Sequence, residues 1–199
     1  MSKKTSEIKL NSGVYKHSEL EAIYGTKMAV KRAFESGKYE KISRGFYMTS
    51  DIPINRAYFE VTKKFYPKSV ISKRTLLYHY KLTTNQPQEI DLDVSHDSKL
   101  RNSTDLICVH RTNKIFGTVF NDFNAVRLKC YSVERALFEV LYFEKKPGQL
   151  TSEVVHNYLS QHKYDPAVIF KIAHKFGNRG QALANLILVM SGNKYRITA

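Results

Sequence analysis

The glycines between residues 14 and 48 leave room only for short elements joined by tight turns. Leu20, Ile23 and Tyr24 recur at helical spacing, with Ser18 as a candidate N-cap and acids in the first turn. Gly25 follows at once, where a left-handed cap costs glycine nothing. Thr26 can cap a second helix from Lys27 to about Ser36, which Gly37 ends. Tyr39-Glu40-Lys41-Ile42 and Phe46-Tyr47-Met48 are strand-like, and Ser43-Arg44-Gly45 between them reads as a hairpin turn. Helix, tight turn, helix and basic hairpin is the order of a winged helix-turn-helix, completed here in about 40 residues.

Beyond Asp51-Ile52-Pro53 the pattern changes. A helix is expected from about Asn55 to Phe65, a short buried segment at Ser69-Val70-Ile71, and a helix over Lys73 to Tyr80 capped by Ser72. From Glu89 the apolar period becomes two. Ile90, Leu92 and Val94 alternate with Asp91, Asp93 and Ser95, the pattern of a half-buried strand. Leu106 to His110 and Val126 to Cys130 read as further strands, and Thr118-Val119-Phe120 as a short one before a turn at Asn121-Asp122. Helices follow: Ser132-capped from Val133 to Glu144, Thr151 to about Gln161, one opened by Asp165-Pro166 and ended by Gly177, and Gln181 to Met190 with Leu183, Leu186, Ile187 and Met190 facing inward. The expected class is α+β. A winged helix-turn-helix over residues 1–52 precedes a domain over 53–199 with a small, mostly antiparallel sheet and several helices. Residues 1–10 are polar and read as frayed or as a first helix with few contacts.

Charge points to the partner. The chain has 32 Lys/Arg against 18 Asp/Glu, a net +14. Residues 1–84 hold 17 cations and 7 acids, and residues 85–199 hold 15 and 11. The excess in the first part places a polyanion, usually nucleic acid, there. Helices fit the major groove of duplex DNA and not the narrow groove of A-form RNA, so the order of elements favours DNA over an RNA-binding module on the same surface. The candidate contacts are Thr26, Lys27, Lys31 and Arg32 on the second helix and Lys38, Lys41, Ser43 and Arg44 on the hairpin, with Arg44 at its tip. Lys73 and Arg74 join them, because cations in a first helical turn oppose the helix dipole and call for an anionic neighbour. That neighbour is either DNA phosphate or a nearby acid.

Other chemistries find little support. Asp91 and Asp93 resemble a carboxylate pair for a divalent cation. However, the Thr83-Thr84-Asn85-Gln86-Pro87 loop lacks the glycine a phosphate-gripping turn needs, and Arg127-Leu128-Lys129 lacks an acid. A metal-dependent enzyme at these residues is the lesser alternative, and the solvated face of a strand the simpler reading. Cys108 and Cys130 have no clustered Cys or His partners, and none of the seven histidines has ligand spacing, so no disulfide framework, metal site or cofactor is expected. No apolar run approaches a membrane span and no secretory leader is evident, which predicts a cytoplasmic protein.

Three stretches resemble the AbiEi antitoxins of bacterial type IV toxin–antitoxin (abortive infection) systems. Lys41-Ile42-Ser43-Arg44-Gly45-Phe46-Tyr47 is similar to the family's basic wing. Val70 to Leu82 is similar to its Ile-Ser…Leu helix. Tyr131-Ser132-Val133-Glu134-Arg135-Ala136-Leu137-Phe138-Glu139-Val140 is similar to its S-x-E-R-T-L-x-D helix, with Ala136 in place of Thr and Glu139 in place of Asp. The resemblance covers about residues 14 to 140. It implies a non-enzymatic antitoxin that represses its own operon at inverted repeats in duplex DNA, allows cooperative self-association there, and counteracts a nucleotidyltransferase-like toxin without a stable complex.

Overall fold

The computed structural model describes residues 11–100 and 104–192. The expectation for residues 1–10 lies outside the described residues. The fold is α+β, with eight α-helices and two sheets among those described. It divides into two compact units. The first is the chain up to Pro67 with 104–106 and 122–127. The second is 68–103, 107–121 and the chain from Leu128 on. The division at Pro67, rather than after residue 52, puts the helix α3 (Ile54–Phe65) in the first unit. Asp51-Ile52-Pro53 breaks the local structure but not the packing.

In the first unit, β1 (Val14–Lys16) leads into α1 (His17–Tyr24), α2 (Lys27–Glu35), β2 (Glu40–Ser43) and β3 (Phe46–Met48). The sheet order is β1-β3-β2, antiparallel throughout. Strand β1 is too short and too polar to be evident from its residues. It exists because Val14, Tyr15 and Lys16 pair with Met48, Tyr47 and Phe46. Leu20, Val30, Ala33 and Tyr39 form a small core, extended by the half-buried Tyr15, Tyr24 and Tyr47.

The second unit holds most of a five-stranded sheet, of which residues 122–127 are assigned to the first unit. Its strands are β4 (Val70–Ile71), β5 (Ile90–Val94), β6 (Ile107–Arg111), β7 (Thr118–Phe123) and β8 (Val126–Tyr131), in the order β6-β5-β4-β8-β7. The sheet is mixed, not mostly antiparallel: β5 runs parallel to β6 and β4 parallel to β8. Strand β7 extends past the expected turn to Phe123, and Asn124 and Ala125 make the turn with φ of 49° and 65°. Two left-handed residues match the twist of a two-residue hairpin.

Helix α4 (Lys73–His79) begins after β4, and α5 (Val133–Leu137) after β8. Ser132 caps α5 as expected, accepting from the Arg135 amide, but the helix tightens into a 3-10 turn at Phe138–Tyr142 instead of continuing to Glu144. Then come α6 (Gln149–Gln161), α7 (Pro166–His174, capped by Asp165) and α8 (Gly177–Met190). Helix α7 ends at His174, and α8 starts at Gly177, the expected end of the preceding helix and four residues earlier than expected for α8; the two helices approach closely. A Cβ at Gly180 would lie 2.3 Å from the Ala173 carbonyl oxygen. Leu183 and Ile187 are buried, while Met190 is exposed, against expectation, at the helix end. No helix among the described residues is long and apolar enough to cross a membrane.

Candidate nucleic-acid interface

Gly25 has φ of 79° and its amide donates to the Glu21 carbonyl, closing α1. Thr26 then caps α2, its hydroxyl oxygen accepting from the Ala29 amide at 3.2 Å. Val30 and Ala33 turn inward, so Lys27, Lys31 and Arg32 fall on the exposed side of α2. Lys31 makes only a loose pair with Glu35, at 3.7 Å. The Tyr39 hydroxyl donates to the Val30 carbonyl and ties the hairpin to α2. Burial, with help from Tyr24 and Tyr47, pushes that hydroxyl up to about 12. Phe34, half exposed, leans on Tyr39 and Tyr47 with ring centroids 5.8 and 6.4 Å away.

The hairpin reverses through Arg44-Gly45, with a register shift between Lys41 and Ser43. Gly45 has φ of 84°, a region that a Cβ would strain. Its carbonyl accepts from the His17 amide at 3.2 Å, which holds the turn against the start of α1. Lys38, Lys41 and Arg44 are exposed and Ser43 is half-buried. Eight of the ten candidate residues therefore belong to this one unit, and seven of the eight are exposed. Lys64 is committed elsewhere: it donates to the Val14 carbonyl at 2.7 Å and pairs with Glu19. Burial raises the Glu19 carboxyl, but the Lys16 amide and Lys64 outweigh it and hold the group below its ordinary value.

The second unit corrects two expectations. Lys73 is not a surface cation. It is buried, with Nζ 2.9 Å from Asp93 Oδ1 and its amide donating to Glu139 Oε2 at 3.0 Å. Its φ of 48° is costly for a residue with a side chain, by about 1–2 kcal/mol, and these two contacts hold it there. The anionic neighbour is an acid of the protein. Arg74, by contrast, is exposed, its guanidinium 4.8 Å from the Phe143 ring.

Asp91 and Asp93 are likewise not on a solvated face. Strand β5 lies between β4 and β6 and is buried at every position. Asp93 has three partners: Ser72 Oγ donates at 2.9 Å, Tyr131 Oη at 2.8 Å, and Lys73 pairs with it. Ser72 therefore spends its hydroxyl on Asp93 instead of capping α4. Asp91 takes the Thr75 amide and His110. The two carboxylates thus have different partners and do not form a shared cation pair.

Arg135 and Glu139 complete the network. Both are fully buried and bonded to one another. The guanidinium lies over Tyr131, Phe176 and Phe116, with distances to the ring centroids of 4.2, 4.6 and 4.9 Å. Burial raises the Glu139 carboxyl, against the pull of Arg135. Two of the three stretches singled out in the sequence, 70–82 and 131–140, thus meet side by side through Ser72, Lys73, Tyr131, Arg135 and Glu139. The signal was present in the unusual polar residues of apolar-patterned helices. Asp93, the hub, carried no signal beyond strand alternation.

The unit boundary also redistributes the charge. Residues 11–67 hold ten Lys/Arg and six Asp/Glu, whereas Lys68, Lys73, Arg74 and Lys81, counted with the first part of the sequence, belong to the second unit. The excess is shared between the units and does not by itself locate the polyanion. The second unit has its own basic surface, a pocket of about 380 Å³ lined by His96, Arg111, Lys114, Arg179 and the rings of Tyr142 and Phe176. Arg179 there is anchored on the Leu141 and Glu144 carbonyls.

One further group comes together: Asp91, Cys108 and His110 bring their ligand atoms within 4.8 Å of one another. No family model matches the chain, and no curated protein matches it.

Proposed function

We propose that the protein is a DNA-binding transcriptional regulator whose first unit is a winged helix-turn-helix, with α2 as the reading helix and the β2–β3 hairpin as the wing. The observation that carries this reading is the combination of sheet order and exposure. The helix–Gly25–helix segment is inserted between β1 and the β2–β3 hairpin in a β1-β3-β2 sheet, and Lys27, Lys31, Arg32, Lys41 and Arg44 stand outward from α2 and the hairpin. A helix is about 10–12 Å wide and the major groove about 12 Å, so α2 can lie in it with its N-terminal residues toward base edges. Arg44 then reaches the minor groove or a phosphate.

The resemblance carried by residues 41–47, 70–82 and 131–140 supports a more specific role. In that role the protein is an autorepressor and antitoxin of an AbiEi-like type IV system, acting in the cytoplasm on inverted repeats of its own promoter. It counteracts a nucleotidyltransferase-like toxin without holding it in a stable complex.

The test is binding of the full chain and its Lys31→Ala and Arg44→Ala variants to the promoter duplex and to scrambled DNA, across a salt series. If Lys31 touches a base edge, its truncation costs about 1–3 kcal/mol at the operator and less elsewhere. If Arg44 touches a phosphate, its truncation weakens both DNAs alike and makes the salt slope shallower by about 0.9. If both variants bind like the parent while Arg111→Ala or Lys114→Ala abolishes binding, the reading head is in the second unit and this assignment fails. Protection from the toxin is tested by co-expressing the chain with the nucleotidyltransferase encoded beside it.

A further inference from the structure

Strands β5 and β6 run parallel in the register Asp91↔Cys108 and Asp93↔His110. Side chains two apart on a strand share a face, so Cys108 and His110 stand side by side, opposite the Asp91–Asp93 row. Asp93 is occupied by Ser72, Lys73 and Tyr131. His110 instead reaches back to Asp91, its Nε2 2.7 Å from Oδ1. Cys108 Sγ lies within 4.8 Å of both. A thiol, an imidazole and a carboxylate therefore converge on one point, although Asp91 and Cys108 are 17 positions apart in the chain.

The surroundings suit a cation. Asp91 is held from behind: the Thr75 amide donates to Oδ2 at 3.4 Å, the Asp91 amide donates to Thr75 Oγ1 at 2.8 Å, and that hydroxyl donates to the Glu89 carbonyl. This leaves Oδ1 as the oxygen facing His110, the arrangement by which outer partners orient a ligating carboxylate. The His110 and Asp91 side chains keep 30% and 12% of their surface accessible, so an ion has a path in from solvent. We propose that Asp91, Cys108 and His110 form a binding site for a thiophilic divalent cation, best suited to zinc, with water in the fourth position.

The chemistry selects the ion. A thiolate disfavours magnesium and calcium, and a mixed sulfur, nitrogen and oxygen donor set is zinc-like. Two ligands at about 2.0–2.1 Å in a tetrahedral site stand roughly 3.3 Å apart, so the 2.7 Å His110–Asp91 contact opens by under 1 Å on loading. Binding displaces the thiol proton of Cys108 to solvent, and the proton shared between His110 Nε2 and Asp91 Oδ1 moves to Nδ1 or to solvent, so that sulfur, nitrogen and oxygen each exchange a proton contact for a bond to the metal with no change in oxidation state. The ion would clamp β5 to β6 next to α4, in the unit that does not contain the proposed reading helix. The site stands independently of the DNA-binding assignment.

The experiment titrates the reduced full chain with cobalt(II), followed by zinc. The expected result is a thiolate-to-cobalt charge-transfer band in the near ultraviolet, saturating at one equivalent and bleached by one equivalent of zinc. The band persists in Cys130→Ser, disappears in Cys108→Ser, and requires at least tenfold more cobalt in His110→Ala. No band in the parent, or a band that survives Cys108→Ser, overturns the proposal. Should Cys108→Ser not fold, X-ray absorption of the zinc-loaded parent decides. One sulfur at about 2.3 Å beside nitrogen and oxygen at about 2.0–2.1 Å supports the site, and a shell without sulfur overturns it.

Discussion

The two units use the same charged residues in opposite ways. In the first, the described lysine and arginine ion pairs Lys31–Glu35, Arg56–Glu60 and Lys64–Glu19 lie on the surface, with both partners open to water. In the second, Lys73–Asp93 and Arg135–Glu139 are closed off from water; Ser72, Tyr131 and the Lys73 amide donate to the two carboxylates, while Arg135 Nε is buried without a hydrogen-bond partner among the described residues. Exposed pairs are worth about 0–1 kcal/mol, whereas removing one partner of a buried pair strands the other charge in a poor solvent. Formal charge counted along a sequence therefore says little about where a polyanion binds. What matters is which cations are both outward-facing and uncompensated, and on that criterion Lys73 leaves the candidates, while Lys27, Arg44 and Arg74 are exposed and make no ion pair among the described residues.

The largest test of this contrast is Arg135→Met. It leaves Glu139 buried without its partner and should cost about 3–5 kcal/mol in urea unfolding. Adding Glu139→Met should recover much of that loss, because an apolar pair removes the stranded charge. A single variant as stable as the parent would mean that the second unit does not depend on its internal pair.

An intermediate effect is expected at Glu144. Burial raises its carboxyl, but the Thr151 hydroxyl and the Thr151, Leu150 and Gly148 amides outweigh it and hold the group below its ordinary value of 4.5. A Cβ at Gly148 would lie 2.7 Å from Glu144 Oε1, so the carboxylate would have to shift to admit one. With the folded value depressed, the contribution is present above the ordinary carboxylate range and is lost as pH falls through the folded value. Glu144→Gln should cost about 1 kcal/mol at neutral pH. It should also flatten the fall in stability below pH 4.5. An unchanged acid limb of the stability–pH curve would show that other carboxylates set it.

The smallest effect belongs to the first unit. Lys31→Gln and Arg44→Gln should each change stability by no more than about 0.5 kcal/mol, because neither side chain is buried and the Lys31–Glu35 pair is loose. If either unfolds the protein as readily as Arg135→Met, the contrast between outward and inward charge does not hold.

Short-range chemistry made much of the secondary structure legible. Gly25 and Thr26 mark the break between α1 and α2, Arg44-Gly45 the hairpin, Asp165-Pro166 the start of α7, and the alternation from Ile90 to Val94 gives β5 at its observed ends. Each signal works because a turn, cap or strand period depends on neighbours within a few residues. The sequence by itself therefore determined the α+β class and the order of most elements. It did not show which unit owns α3, that β1 exists, that the helix after Ser132 tightens at Phe138, or that Asp91 and Asp93 face inward with separate partners. Those depend on pairings across the fold. Alternation says only that two faces differ, and an aspartate face reads as solvated until Lys73, Tyr131 and His110 arrive from other elements to satisfy it. Tertiary structure alone decided that, because burying a charge is tolerable only where a partner is already in place.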